Sequence, residues 1–283
     1  MRWLIVGANG ILGREIQRVL QVNSVEHLAT SKHDLDINNN FQMEKMFSNF
    51  LPTHIVNCAG LTDVDICERY PDKAFHLNYH GVMNLGQWCK KFDGKLIQIS
   101  TNFVFDGKSE RPYQVLDIKN PINVYGLSKS FAEDYCISES QLDAQIIRTA
   151  SLYSQFGRNF TRFMINSLQL NKPVKVITNL CVQPTWAFAV ATQVYNLAAS
   201  NNKHKIIHCA SGGTTSWFEF STYICKVLNL NQNLLIPVEV NNLNFVAKRP
   251  NNAILSSEID KIQPIYMADW QSMLTCALTD IVN

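Results

Sequence analysis

The stretch Trp3-Leu-Ile-Val6-Gly7-Ala-Asn-Gly10-Ile-Leu-Gly13 decides how the rest of the chain is read. Four apolar residues in a row make a short buried strand, and glycines at every third position follow at once. Leu12, Ile16, Val19 and Leu20 then recur at i, i+4, i+7 and i+8, the stripe of an amphipathic helix. Strand, glycine turn and helix in that order open a dinucleotide-binding unit. The first glycines let the backbone turn tightly and approach a pyrophosphate, and the last lets the helix lie close to the strand. The helix N-terminus adds unpaired N–H groups and the positive end of its dipole. Gly7, Asn9, Gly10, Ile11, Leu12 and Gly13 are therefore candidate cofactor contacts. The competing reading, a glycine turn in an ordinary βα unit, is weakened by the clean strand in front of it.

Moving outward, Val25–Ala29 reads as a second strand ending in Thr30-Ser31-Lys32. An NAD site places an acid about 20 residues past the glycines to hold the ribose 2′-OH. Ser31 and Lys32 occupy that place and suit a 2′-phosphate, so NADPH is the expected cofactor, with NADH the alternative. Asp36 and Ile37 follow, then a helix to about Phe50. His54-Ile-Val-Asn-Cys-Ala-Gly60 is a buried strand ending in Cys58, Ala59 and Gly60, small enough for a dinucleotide to cross its tip. Pro71–Cys89 reads as one long amphipathic helix; its His76 and His80 have metal-ligand spacing but no third ligand nearby, so no metal site is expected. Lys95–Ile99 is a strand with Ser100 and Thr101 at its end. Beyond it come a helix over Ser130–Ser138, a strand at Gln145–Thr149, a helix near 159–170 and a strand at Val174–Ile177. A helix over Trp186–Ala199, a strand at Lys205–Cys209 and a capping-box helix opening at Ser216-Trp-Phe-Glu219 follow. A short strand within Leu234–Val240 interrupts an Asn-rich loop. Strands alternating with helices throughout mean an α/β fold with a doubly wound parallel sheet.

The bulk numbers agree with that fold class. The chain has 283 residues, 46% hydrophobic and 17% charged, enough for one large domain or two smaller ones. We expect a cofactor-binding domain over residues 1–150, completed by parts of about 175–210, and a second, substrate domain mainly over 151–283. A formal charge of +2 gives no field to gather nucleic acid or an anionic membrane, and no apolar run reaches spanning length. Eight cysteines are scattered singly without a C-x-x-C pair, the pattern of reduced thiols in a cytoplasmic protein.

One pair of residues carries chemistry. Tyr125 alone among nine tyrosines has a Lys four residues later, Lys129, so the two share a helix face. Set beyond a Ser/Thr strand end in a nucleotide-binding sheet, they form a proton-delivery site. The charge of Lys129 is expected to lower the Tyr125 pKa from about 10, Lys129 to hold the nicotinamide ribose, and Thr101 to polarise a carbonyl.

Gly7-x-x-Gly10-x-x-Gly13 with Tyr125-x-x-x-Lys129 resembles the extended short-chain dehydrogenase/reductases, and within them the dTDP-4-dehydrorhamnose reductase family. The likeness runs almost end to end. It includes Val56-Asn-Cys-Ala59, Asp63-x-Asp65 with Glu68, Ala74-x-x-x-Asn78, Ser100-Thr101 and Val104-Phe-Asp-Gly107. It continues through Pro121-x-Asn-x-Tyr-Gly126, Arg148-Thr149, Asn159-Phe160, Pro184-Thr185, Trp217-x-x-Phe220 and Arg249-Pro250. The resemblance implies hydride transfer to the C4 keto group of a nucleotide-linked 6-deoxyhexulose, with Tyr125 donating the proton and Thr101 orienting the carbonyl. It adds Asn78 to the cofactor residues, and Asn102, Phe103, Val104, Ser151, Asn159 and Arg249 to the substrate residues.

The chain departs from the family at three places expected to touch the sugar. The family has Ser-Thr-Asp where this chain has Asn102, and a Trp after Arg-Thr-x where it has Ser151. An Asp-Gln-x-Gly-x-Pro-Thr stretch is Asn179-Leu-Cys-Val-Gln-Pro-Thr185 here. A different keto-sugar is the expectation. The family's magnesium-bridged dimer uses clustered glutamates; Glu15 matches one, but Phe188 replaces a second, so a homodimer is expected only as an option. A dehydratase needs an Asp-Glu pair after Thr101 and finds Asn102-Phe103 instead. An epimerase and a non-catalytic, NADP-binding regulatory subunit like the methionine adenosyltransferase β subunit remain as alternatives.

Overall fold

The structure, a computed structural model, describes residues 1–200, 204–256 and 267–282. Its first half comprises β1 (Trp3–Val6), α1 (Ile11–Val22), β2 (His27–Thr30), α2 (Asn40–Phe50), β3 (His54–Asn57), α3 (Val64–Arg69), α4 (Pro71–Phe75), α5 (Gly81–Lys91) and β4 (Lys95–Thr101). The second half comprises α6 (Val124–Ser138), β5 (Ala144–Thr149), β6 (Leu152–Tyr153), α7 (Phe160–Gln169), β7 (Val174–Ile177), β8 (Thr185–Trp186), α8 (Ala187–Ala199), β9 (Ile206–His208), α9 (Trp217–Leu228), β10 (Leu235–Val238) and α10 (Trp270–Val282).

Six strands form one parallel sheet in the order β2-β1-β3-β4-β5-β9. Side chains alternate across it. Trp3 and Ile5 of β1 pack with Leu12, Ile16 and Leu20 of α1 and Val190 and Val194 of α8. Leu4 and Val6 pack on the opposite face with Met43 and Phe47 of α2, Leu85 of α5 and Ala132 and Cys136 of α6. Burial on both faces is why β1 reads as an unbroken apolar run. The chain goes from β1 to one neighbour, β2, then crosses back to the other, β3. That reversal opens a crevice at the carboxyl ends of β1 and β3, where ligands of doubly wound sheets lie.

A third core gathers Met164, Ile165 and Leu168 of α7, Val174 and Val176 of β7, Phe220 and Ile224 of α9, Leu235 of β10 and Trp270 and Leu274 of α10. Helix α9 opens with the expected capping box: Glu219 N–H donates to Ser216 Oγ, and the Ser216 N–H donates to the Glu219 carboxylate.

Several elements differ from the sequence reading. The helix expected over Pro71–Cys89 is interrupted by a wide π turn at His76–His80. That turn aims Asn78 into the interior, where its amide bonds both the N–H and the carbonyl of Leu61. Helix α6 starts at Val124, ahead of Ser130, because Asn123 caps it by accepting from Gly126 N–H at 2.8 Å. Helices α3 and α10 had no counterpart in the sequence reading.

Candidate active site

The glycine turn has the geometry its sequence requires. Gly7 has φ +77°, and a Cβ there would lie 2.5 Å from the Ala59 backbone nitrogen. A Cβ on Gly13 would lie 2.5 Å from the Gly7 carbonyl oxygen, so the start of α1 presses directly on the turn. Gly10, the N-cap of α1, offers no side-chain acceptor, which leaves the first helical N–H groups for a ligand.

Two neighbouring clefts, of about 630 and 480 Å³, meet at Gly10, Cys58 and Gly60. The larger is lined by Gly7, Lys32, Asp36, Ile37 and Ala59, joined by Lys73 and His76, which the sequence reading had not proposed as ligands. The smaller is lined by Asn9, Ile11, Leu12, Ser100, Thr101, Tyr125, Lys129 and Ser151, together with Thr62 and Arg158. Ser151 holds a left-handed backbone with φ 43°, a strained conformation for a serine at a cleft wall. Lys73 and Arg158 carried no signal of their own in the sequence. They reach the clefts because α4 and the loop before α7 fold over the strand ends.

Strand β4 and helix α6 position the proton-transfer residues. Thr101 ends β4; its hydroxyl accepts from Phe103 N–H at 3.2 Å and donates a long 3.3 Å bond to Asn102 Oδ1. Tyr125 lies in the first turn of α6, with its ring edge-on to Phe103 at 5.9 Å. Lys129, one turn further, is buried and donates from Nζ to the Ile99 carbonyl at 3.0 Å. The electrostatics correct one expectation. Lys129 does not lower the Tyr125 pKa; enclosure of the phenol pushes it up to about 12, with the Thr101 hydroxyl acting the other way and Cys67 adding to the rise. Burial takes Lys129 itself down to about 8, against the opposing pull of Cys58, Glu133 and Cys67.

Several expected ligands lie elsewhere. Ser31 turns away from the cleft and donates to Asp34 Oδ2 at 2.6 Å, leaving Lys32 to face it. Gly13 serves helix packing, not the cleft wall. Asn78 is wholly buried, its amide held by Leu61 and Ser128, so it shapes the loop behind Gly60. Asn102 donates to the Ala253 carbonyl at 2.8 Å, and Val104 is packed in a core with Phe105, Tyr113 and Leu255. Asn159 caps α7 and donates to the Ser154 carbonyl at 2.7 Å. Arg249 lines a separate cleft of about 660 Å³, where it pairs with Asp65 at 2.6 Å and stacks over Phe245 at 4.0 Å. That pairing holds the Asp65 carboxyl down at about 2. In the 179–185 stretch expected to touch sugar, Asn179 accepts from Val240 N–H at 2.8 Å, and the neighbouring Gln183 is buried and donates to the Ser211 and Leu255 carbonyls. Of the three departures, Ser151 alone lines the cleft with Tyr125.

Among the described residues no group of three or more His, Cys, Asp or Glu side chains could hold a metal ion. Glu15 is wholly buried and accepts from Ser154 Oγ at 2.6 Å, while Phe188 packs against the Arg18 guanidinium at 4.5 Å. These residues do not fit a bridging cation. The glycine cradle, by contrast, fits a dinucleotide pyrophosphate: its backbone is open where a Cβ would close it, and the free helix N-terminus faces the cleft.

A doubly wound sheet, a glycine cradle at its switch point, and Thr101, Tyr125 and Lys129 beside it define an extended short-chain dehydrogenase/reductase. The chain belongs to the RmlD substrate binding domain family, which it matches over residues 1–283. It is 32% identical over 257 residues to the dTDP-4-keto-6-deoxy-D-glucose reductase of Streptomyces niveus, covering 91% of this chain and 89% of that one. Among solved structures, a dTDP-4-dehydrorhamnose reductase from Clostridium acetobutylicum superposes with a TM-score of 0.92 at 32% identity, covering 99% of both chains. The dTDP-4-dehydrorhamnose reductase of Bacillus anthracis, in complex with NADP, superposes with a TM-score of 0.93 at 29% identity, covering 98% of both.

Proposed function

We propose that this protein is an NADPH-dependent reductase, with NADH as the alternative cofactor, of the C4 keto group of a nucleotide-linked 4-keto-6-deoxyhexose. The observation that carries this reading is the meeting of Thr101, Tyr125 and Lys129 in one cleft that continues from the glycine cradle. The names of its relatives, reductases of dTDP-linked keto-sugars, support the same substrate class. The turn Gly7–Gly13 would hold the pyrophosphate, Asp36 and Ile37 the adenosine end, Lys32 the 2′-phosphate, and Lys129 the nicotinamide ribose. Bound there, the reduced nicotinamide supplies a hydride to C4.

The chain's own residues do the rest. Thr101 exchanges its long bond to Asn102 for one to the substrate carbonyl oxygen, fixing the carbonyl and drawing charge onto that oxygen. Tyr125, protonated up to about pH 12, is a donor at neutral pH and gives its proton to the developing alkoxide. Ketone, hydride and proton become a secondary alcohol. The ammonium of Lys129 then stabilises the phenolate left behind, a role that needs it charged. Residues 151–283 would supply most of the sugar-nucleotide pocket and residues 1–150 the cofactor pocket, and the enzyme would work in the cytoplasm. Among the described residues no helix is long and apolar enough to cross a membrane.

The test is loss of NADPH absorbance on mixing the protein with a panel of nucleotide-linked 4-keto-6-deoxy sugars, dTDP-4-dehydrorhamnose first. Turnover of at least one member is expected. Tight NADPH binding with no turnover across the panel would replace this reading with a regulatory, cofactor-binding role.

A further inference from the structure

A buried charge pair sits directly beneath the proton-transfer residues. Tyr125, Lys129 and Glu133 follow one another at i, i+4 and i+8 on α6, forming a single stripe against the end of β4. Glu133 is wholly buried. Its Oε1 accepts from Ser100 Oγ at 2.5 Å and from Arg148 Nε at 2.9 Å, its Oε2 accepts from the other arm of Arg148 at 2.7 Å, and Lys119 Nζ lies 3.5 Å from the same Oε2. Arg148 belongs to β5, where it lies directly opposite Ser100, and Thr149 opposite Thr101. The same guanidinium reaches the Val115 carbonyl at 3.0 Å and His208 Nε2 at 3.3 Å. A bidentate pair of this kind fixes orientation as well as charge.

We propose that Glu133, balanced by Arg148, is a positioning residue of this site: it locks the Ser100–Thr101 strand end to the helix face bearing Tyr125 and Lys129, and supplies the counter-charge one turn beneath the lysine. Two observations carry this beyond a structural ion pair. The Ser100 hydroxyl adjoins Thr101 in sequence and is spent wholly on Glu133, so the carboxylate sets where Thr101 emerges. Among the described residues no carboxylate lies within bonding distance of Lys129; Cys58 after β3, Cys67 of α3 and Glu133 on its own helix face it, and Glu133 is the one carboxylate of these three. The inference rests on the proposed role of Lys129, but one of its tests does not need turnover.

That test is a side-chain NMR titration of Lys129 in protein carrying 13C-labelled lysine, with the resonance assigned through Lys129→Met. Glu133→Gln keeps an acceptor for Ser100 but strands a buried guanidinium, and so risks unfolding. The double variant Glu133→Gln/Arg148→Met removes both charges and keeps the question answerable. In folded Glu133→Gln Lys129 is expected to titrate about one pH unit lower than in the wild type; in the double variant the shift keeps its direction but is smaller, because Glu133 faces Lys129 while the lost guanidinium offsets part of the change. Ser100→Ala, which cuts the tie without changing charge, is expected to leave that titration in place and to lower kcat with KM little changed. An unshifted Lys129 titration in the folded double variant would overturn the charge role, and wild-type kcat in Ser100→Ala would overturn the tie. If no sugar in the panel turns over, the titration still decides the first, independently of the reductase reading.

Discussion

Replacing either of two glycines three residues apart with alanine should damage this protein in different ways. At Gly13 the new Cβ would lie 2.5 Å from the Gly7 carbonyl oxygen and 2.8 Å from Ala8 Cα, both backbone atoms that cannot rotate aside. Relieving that contact means moving α1 by about 1 Å off a strand whose Trp3, Leu4 and Ile5 are wholly buried, an overpacking cost at the upper end of ~1–3 kcal/mol. Gly13 lies inside α1, so alanine recovers about 1 kcal/mol of helix propensity. The net is a loss of about 2 kcal/mol, or roughly 4–8 °C in Tm for a chain of this size. At Gly10 the nearest atom to a new Cβ is the Gly7 oxygen at 3.3 Å, so the fold yields slightly, but the methyl enters the shared rim of both clefts. Gly10→Ala should therefore keep Tm within a degree or two and weaken NADPH binding. The assays are thermal unfolding by circular dichroism and NADPH titration by fluorescence. A Gly13→Ala protein as stable as the wild type, or a Gly10→Ala protein that binds NADPH normally, would refute the assignment of packing to one glycine and cofactor approach to the other.

Two further outcomes concern pH. Burial lowers Lys129 to about 8, and its charged form is the one the mechanism uses, so kcat should decline as pH rises through about 8 while the fold persists; a flat profile to pH 9.5 would contradict this. His208, beside Arg148, is held neutral by burial and lowered to about 3. Its contribution to stability is complete above the unfolded value of about 6.5 and is lost as pH falls toward 3, so wild-type stability should drop below about pH 6.5 and His208→Gln should flatten that slope in acid melts.

The first βα unit was legible because strand, glycine turn and helix each leave a local signature within the first 22 residues. The carboxyl end of β4 and the Tyr125/Lys129 pair were legible for the same reason. Sheet order was not, since β1 pairs with β2 and β3 through contacts no local pattern encodes. Strands β6 and β8, of two residues each, are too short for any periodicity. Helix α10 does carry a stripe, Trp270, Met273, Leu274, Ala277 and Leu278, which could have been found. The site was harder to read where polar residues serve the backbone. Asn78, Asn102 and Asn159 look like ligands in sequence, yet each amide is tied into its own fold, with main-chain partners in every case and the Ser128 and Thr101 hydroxyls added at Asn78 and Asn102. Arg249 looked like a free substrate ligand because its partner Asp65 lies 184 residues away. Glu133 carried no signal in the sequence, and Arg148 only that of a family motif, because one is on a helix and the other on a strand, and the register of β4 against β5 brings them together at Ser100.

The central claim is that Tyr125 delivers the proton in reduction of a nucleotide-linked keto-sugar. The most direct measurement is single-turnover NADPH oxidation by wild type and Tyr125→Phe, side by side, on a sugar the wild type accepts. The account predicts a fall of about 10²–10⁴-fold in the rate for the Phe variant, with NADPH affinity unchanged. A Phe variant that turns over at the wild-type rate would contradict it.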